Sequence, residues 1–368
     1  MAAIPFFKKL TAPFFSLGLG GKPNAAVGID IGTWSTKVVQ LRYERERAVL
    51  ETYGELLNER YFKGAQDAGT GFLRYLDADI ASLIKDVLRE SKVTSRDAFF
   101  SIPAASSFVI TVSLPLLSHK EVGQAVPFEA RKYIPVPLAE VVLDWDILET
   151  DEERGIIEVL LIVVPKEVIE KFKRIAGLAG LTLRALEVET LSAVRAIAHM
   201  ELTPLALVIL GHQTTTLTII DKGRVRRSHH FTRGSQEITV ALERGLNIER
   251  ARAETLKREV GVSERIEERE NVSLMTPFLD TLFSELARVT ETYNRKAARK
   301  IQRIILAGGG ANLKGVVEIA ATHFGSEVTR ANPFSRVVAP AFLQPALREI
   351  GPGFTIAVGL ALRNITSR

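Results

Sequence analysis

The stretch "AVGIDIGTWSTKVVQL", residues 26–41, decides the fold. Apolar residues up to Ile31, a glycine, three hydroxyl residues and a second apolar alternation read as two antiparallel strands joined at a tip of Gly32, Thr33, Ser35 and Thr36. Residues 206–221, "ALVILGHQTTTLTIID", repeat the pattern, with Gly211 followed by Thr214, Thr215 and Thr216. Such a tip offers backbone N–H groups and hydroxyl donors to an anion such as phosphate. One alone is an ordinary turn; two facing each other would clamp a polyphosphate. Asp30, on the strand just before Gly32, stands where a carboxylate holds Mg²⁺ beside phosphates. A third element, "ILAGGGANL", places Gly308, Gly309 and Gly310 between an apolar strand and a helix, where a ligand can approach the backbone closely. Three glycine-tipped strands across two similar α/β halves point to a nucleotide between them.

Working outward, the charged "YERERA" connects the first hairpin to a third strand at 49–57. A helix over 79–91 buries Ile80, Leu83, Ile84, Val87 and Leu88 on one face, and "AFFSIP" and "FVITVSLP" are strands. The segment "SHKEVGQAVPFEARKYIPVP" opens with a capping box, Ser118 and Glu121, and its helix must end before Pro135. Next come a hairpin ("EVVLDWDILE" and "IIEVLLIVVP"), a helix over 166–179 closed by Gly180, a strand at 181–189 and a helix at 190–200. After the repeated hairpin, helices fill 235–260, and the polar "GVSERIEEREN" at 261–271 reads as a linker. Pro277 opens a long helix to about Arg299, and "GPGFTIAVGLALR" is a last amphipathic helix.

Composition narrows the function. The 368 residues exceed one ordinary core, so two lobes are expected. With no cysteine, disulfide scaffolds and thiolate chemistry are excluded. A net charge of +5 is too mild for a nucleic-acid footprint, and "RVTETYNRKAARKIQR" at 288–303 reads as a solvated helix face. His229 and His230 alternate to opposite strand faces, so with His212 they form no metal cluster. No apolar run reaches the length of a membrane span. Residues 1–24, with Phe6, Phe7, Phe14 and Phe15 beside Lys8 and Lys9, read as a loosely docked tail or an interfacial anchor.

"GIDIGTWSTK" resembles the first phosphate loop of the actin-like ATPases, "GHQTTT" the second, "ILAGGGANLKG" the adenosine loop and "GFTIAVGLALR" the C-terminal connecting helix. Within that superfamily, "EARKYIPVPLAEVVLDWDIL" at 129–148 and "NPF" at 332–334 resemble the PilM family of type IV pilus assembly proteins, on the FtsA-like branch. The resemblance runs from about residue 25 to the end. It implies an α/β, bilobal actin-like ATPase fold of duplicated ribonuclease H-like lobes with an FtsA-type extra subdomain. Its parts would be a first lobe (25–109, completed by 187–202 and 352–368), an inserted subdomain (110–186), a second lobe (203–235 and 276–351) and a small subdomain (236–275).

The same resemblance implies ATP and Mg²⁺ as ligands. Asp30 would face the metal, Gly32 would form the nucleotide-binding loop in which Thr33, Trp34 and Ser35 give N–H groups, and Lys37 would reach the phosphates. Gly211, Thr214 and Thr215 would form the second loop, Glu254 and Lys257 would contact the nucleoside, and Gly308, Gly309, Gly310 and Asn312 would line the base. Read without the resemblance, Lys37 is also a solvated strand residue, and Glu254 with Lys257 a surface ion pair. Glu189 would orient a hydrolytic water, or is an exposed acid at a helix start. Where the superfamily usually has aspartate two residues before the second loop glycine, this chain has Ile209, so slow or absent hydrolysis is expected. The implied role is a cytoplasmic scaffold at the inner face of the inner membrane. Its implied partners are the N-terminal tail of PilN, bound around Arg131, Tyr133, Ile134 and Pro135, and the inner-membrane pilus platform. The rivals are an actin-fold kinase, which needs a catalytic aspartate the second loop lacks, and an FtsA-like membrane-tethered filament protein, whose C-terminal amphipathic helix has no counterpart in "LALRNITSR". A third, the cytoplasmic domain of a secretion-system protein, should continue into a membrane span.

Overall fold

The computed structural model describes residues 23–45, 47–62, 74–198, 201–262 and 268–363. Most of 1–24, and 263–267 of the expected linker, lie outside the described residues. The chain begins with β1 (Ala25–Ile31), β2 (Ser35–Glu44), β3 (Arg47–Leu57), α1 (Asp77–Glu90) and β4 (Asp97–Ile102). An insertion follows: β5 (Phe108–Pro115), α2 (His119–Ala130), β6 (Val141–Asp151) and β7 (Ile156–Pro165). Then come α3 (Lys166–Ala179), β8 (Thr182–Val188) and α4 (Glu189–Ala198). The second half holds β9 (Leu205–Leu210), β10 (Thr215–Asp221), β11 (Arg224–Phe231), α5 (Gln236–Leu246), α6 (Arg250–Val260), α7 (Arg269–Lys296), β12 (Arg303–Ala307), α8 (Val316–Phe324), β13 (Glu327–Arg330) and α9 (Gln344–Ala361).

The duplication appears in the sheets. One has the order β3-β2-β1-β4-β8 and the other β11-β10-β9-β12-β13. In both, three hairpin-linked antiparallel strands are followed by two parallel ones. The two turns match in detail: the Gly32 N–H donates to Ser35 O (3.1 Å), and the Gly211 N–H to Thr214 O (2.9 Å).

The insertion forms its own three-stranded sheet, β5-β7-β6, covered by α2, with Val112, Val126, Ile134 and Leu161 in a separate core. Its limits differ from the expected 110–186. It starts at Phe108, while α3 and β8 return to the first lobe. There Phe172 packs edge-on against Phe100, Lys171 and Arg174 bind Asp77 at the start of α1, and β8 pairs with β4. The apolar face of α3 packs chiefly on α1 of that lobe, in a core that also takes in Leu160, Ile162 and Val164 from the other face of β7.

Two helices begin earlier than expected. Pro277 lies inside α7 instead of opening it. A proline there deprives the Ser273 carbonyl of its helical donor, but both residues face solvent, and Met275, Phe278 and Leu279 hold the helix against the second core. Arg269, Glu270 and Asn271 of the expected linker are therefore helical, and Gly261 and Val262 are packed on Lys314, whose carbonyl accepts from the Val262 N–H at 2.9 Å. Helix α9 starts at Gln344 and is buried around most of its circumference beyond Gly351, so it is not amphipathic. It lies between lobes, against β1 on one side and α4 on another.

That position requires bare backbone. A methyl on Gly359 would stand 1.8 Å from the Ser192 carbonyl oxygen on α4, and one on Gly28 of β1 would stand 2.2 Å from Ala357 O. Gly359→Ala should therefore destabilise the chain by about 1–3 kcal/mol or more through overpacking. Gly177→Ala, in α3 with nothing within 4 Å of the new methyl, should stabilise it by roughly 0.5–1 kcal/mol. Denaturant unfolding of the two variants checks the contrast.

Candidate functional site

The first tip is built around Asp30 and Lys37, direct cross-strand partners on β1 and β2. Asp30 is buried, and Ser101 on β4 donates to its Oδ1 at 2.8 Å. Burial raises the Asp30 carboxyl above its ordinary range, against the opposing pull of Lys37 and the Ser101 hydroxyl. Lys37 is not a solvated strand residue: its Nζ donates to Ser35 Oγ (2.6 Å) and lies 3.1 Å from Glu55, which also accepts from Ser35 Oγ (2.5 Å). Asn58 ties the loop down, donating from Nδ2 to Gly32 O (2.8 Å) and from its backbone N–H to Trp34 O (3.0 Å). The sequence reading missed Glu55, Asn58 and Ser101; they are remote in sequence, and no local pattern marks them.

Lys37 also meets the third glycine element. A methyl built on Gly353 would be 3.5 Å from the Lys37 Cε, 3.9 Å from Gly309 Cα and 4.0 Å from the Asn312 amide nitrogen. Gly308, at φ +82°, passes so close to Leu210 that a methyl would stand 2.5 Å from its carbonyl oxygen. Only glycine meets both conditions, and the two glycine elements of the second lobe are thereby locked together. Asn312 is exposed beside them and accepts from Arg330 at 2.8 Å. Thr214 and Gly211 are accessible at the second tip, whereas Thr215 is buried with its hydroxyl spent on Arg233 O (2.8 Å). The Thr215 hydroxyl is therefore already engaged within the second lobe. Ile209 is buried between Thr216 and Ala307, its neighbours on β10 and β12.

Glu254 and Lys257 are not a surface pair. Both are buried, with Lys257 Nζ 2.5 Å from Glu254 Oε2 and donating to Thr239 Oγ1 (2.9 Å) and Ser235 O (3.3 Å). Ser235 in turn donates its N–H to Gly211 O (3.0 Å), so this cluster abuts the second tip. Burial lowers the Lys257 ammonium, only partly offset by Glu254. Burial would raise the Glu254 carboxyl, but Lys257, Thr239 and Arg258 hold it below its usual value.

The two tips meet. The Trp34 ring packs against His212 with the planes tilted by 44° and the centroids 4.9 Å apart, and the Arg258 guanidinium lies 5.5 Å over the same ring. Burial, then Lys257, pushes the His212 imidazole down to about 4, so it is neutral at pH 7. Two polar atoms in this region are buried without a partner, Trp34 Nε1 and Gln236 Oε1, the latter on the residue whose N–H donates to His212 O (2.8 Å). An unmet donor and an unmet acceptor beside one cleft fit a ligand carrying both phosphate oxygens and hydroxyls. Among the described residues no group of three acids or histidines is placed to hold a metal by itself. A Mg²⁺ on Asp30 would take its other ligands from phosphate and water, which is how that ion is commonly bound.

Glu189 begins α4 and is only partly exposed, not a free helix-start acid. Burial and the nearby Asp30 charge push its carboxyl up to about 7, against a hydrogen bond from the Ala104 backbone. The remaining predicted residues stand apart on the insertion: Arg131, Tyr133 and Pro135 are exposed, and Ile134 is buried in the inserted core. Tyr133 and Val136, with Phe128 under the Arg131 guanidinium at 5.5 Å, make the exposed apolar surface there.

The sequence pattern of the type IV pilus assembly protein PilM family matches residues 28–365. The chain belongs to the PilM family. A solved PilM–PilN type IV pilus biogenesis complex superposes with a TM-score of 0.80 at 24% identity, covering 94% of this chain and 99% of that one. The ethanolamine utilization protein EutJ of Carboxydothermus hydrogenoformans gives 0.55 at 16% identity, covering 95% and 92%. MreB5 of Spiroplasma citri bound to AMPPNP gives 0.52 at 12% identity, covering 92% and 95%. The fold is the bilobal actin-like ATPase fold, and the chain is a type IV pilus assembly protein.

The Glu189 carboxyl sets a pH dependence. Its pKa is raised on folding, so the stabilisation from its proton is complete below about 4.5 and is lost as pH rises through about 7. Burial of a neutral His212 acts in the opposite sense over the same range, so the Glu189 contribution is read as a difference between variants: without divalent cation, Glu189→Gln should raise the melting temperature relative to the natural chain by more at pH 8 than at pH 5.

Proposed function

We propose that this chain binds ATP with Mg²⁺ between its two lobes and acts, held closed by that ligand, as a scaffold of the type IV pilus machine at the cytoplasmic face of the inner membrane. The observation that carries the reading is the meeting of Trp34 and His212 across the two glycine tips, with Asp30 and Lys37 behind one tip and Lys257 behind the other. Backbone N–H groups at both tips and the ammonium of Lys37 suit a polyphosphate. Asp30 would hold the metal, Glu254, Lys257 and Gln236 would lie toward the nucleoside, and Gly308–Gly310 would admit the base. An AMPPNP complex of an actin-fold relative is consistent with this ligand class.

Hydrolysis should be slow. Glu189, poised near 7, supplies one base, but Ile209 is apolar where a second carboxylate would orient the water. Loss of one such group typically costs about 10²- to 10³-fold in rate. Mg·ATP should raise the melting temperature markedly while phosphate release on the same sample stays negligible; turnover near one per second would sink the reading. Asp30→Ala should abolish the Mg-dependent part of the shift, and Ile209→Asp should raise release without altering the fold.

The partner we infer is the N-terminal tail of PilN, since a structurally similar PilM forms a complex with PilN. Among the described residues no helix is long and apolar enough to cross a membrane, and such a tail would link the chain to the pilus platform. The exposed Arg131, Tyr133 and Pro135 are the proposed contacts; Ile134 serves the inserted core instead. Arg131→Glu should weaken capture of a PilN tail peptide at least fivefold with the Mg·ATP melt unchanged, and unaltered capture would remove this segment from the interface.

A further inference from the structure

Trp34 does more than a loop N–H requires. Its backbone already serves the turn, with its carbonyl accepting from Asn58. A smaller residue would meet that need, yet the side chain is a large ring placed between His212 of the second tip and Arg258 of α6. Three elements far apart in sequence therefore converge on one indole. Its Nε1–H is buried with no acceptor, whereas a buried indole N–H ordinarily finds one.

Two nearby acids are already engaged. Glu254 accepts from Lys257, Thr239 and Arg258, and Glu55 from Ser35 while paired with Lys37. The His212 ring feels Lys257, Arg250 and Arg258 against the single acid Glu254, so the surroundings are cationic. A donor left open in a cationic setting between two phosphate-type tips calls for an anionic acceptor from a ligand.

We propose that the Trp34 indole N–H donates to a phosphate oxygen of the bound nucleotide, and that its packing on His212 and Arg258 makes nucleotide binding and closure of the three elements a single event. The proposal rests on the nucleotide reading above and adds a specific donor to it. Binding should then order Trp34 and, through His212 and Arg258, both sides of the cleft.

The chain has two tryptophans, Trp34 and Trp145, so Trp145→Phe leaves Trp34 as the sole indole reporter. In that variant Mg·ATP should change the tryptophan emission saturably. Trp34→Phe in the otherwise natural chain keeps an aromatic ring against His212 and Arg258 and removes the N–H together with the pyrrole part of the indole. It should leave the ligand-free melt nearly unchanged and raise the Kd for Mg·ATP about tenfold or more, as expected for a hydrogen bond to a charged group. Unchanged affinity in Trp34→Phe overturns the proposal while leaving the nucleotide reading intact. No Mg·ATP binding by the natural chain overturns both.

Discussion

Gly359 runs so close to α4 that a methyl in its place would stand 1.8 Å from the Ser192 carbonyl, and this backbone contact holds α9, packed on β1 and β2 of the first sheet, to α4, which also touches β10 and β11 of the second. Helix α4 follows the last strand of the first sheet and α9 follows the last strand of the second, so their crossing is the pivot of the molecule. Charge reinforces it. Glu187, buried at the end of β8, binds both Arg195 of α4 and Arg363 just past α9, and Arg195 Nη1 also donates to Gly359 O at 3.0 Å. Burial opposes ionisation of Glu187, but the two guanidinium groups hold its carboxyl below the ordinary range. Removing one partner would strand a buried charge, the costly way to break such a cluster.

The cleft inherits its geometry from that pivot. Gly28 receives α9 on the first lobe, Gly308 donates its N–H to Pro352 O (2.7 Å), and Gly353 lies beside Lys37. The glycine elements are thus arranged around α9, where side chains would hold the lobes apart. With the tips fixed, the chemistry follows from burial: Asp30 and Glu189 are carboxyls raised by desolvation, while His212 and Lys257 are cationic groups lowered by it. A Mg²⁺ with a polyphosphate would favour the charged forms of all four.

Local chemistry was legible in the sequence. The hairpin tips, the Ser118–Glu121 capping box and the Gly180 stop all stand where short-range rules put them, because each is decided within a few residues. Long-range packing was not. Pro277 looked like a helix start because a proline usually is one; solvent at Ser273 and a buried face on both sides of Pro277 overruled it. Helix α9 looked amphipathic because sequence cannot show that a second lobe covers its other face. In the site, Asp30 and Lys37 were readable from one strand pair. Ser101, Glu55 and Asn58 reach the same tip only through the tertiary fold, and the burial of the Thr215 hydroxyl depends on Arg233 in a different segment.

Hydrogen–deuterium exchange with and without Mg·ATP tests the central claim, that the two lobes close on one nucleotide, most directly. The account predicts slowed exchange in 28–37, 206–216, 250–258 and 305–313 together, with the inserted sheet at 108–165 unaffected. No change at either tip, or protection confined to the insertion, would contradict it.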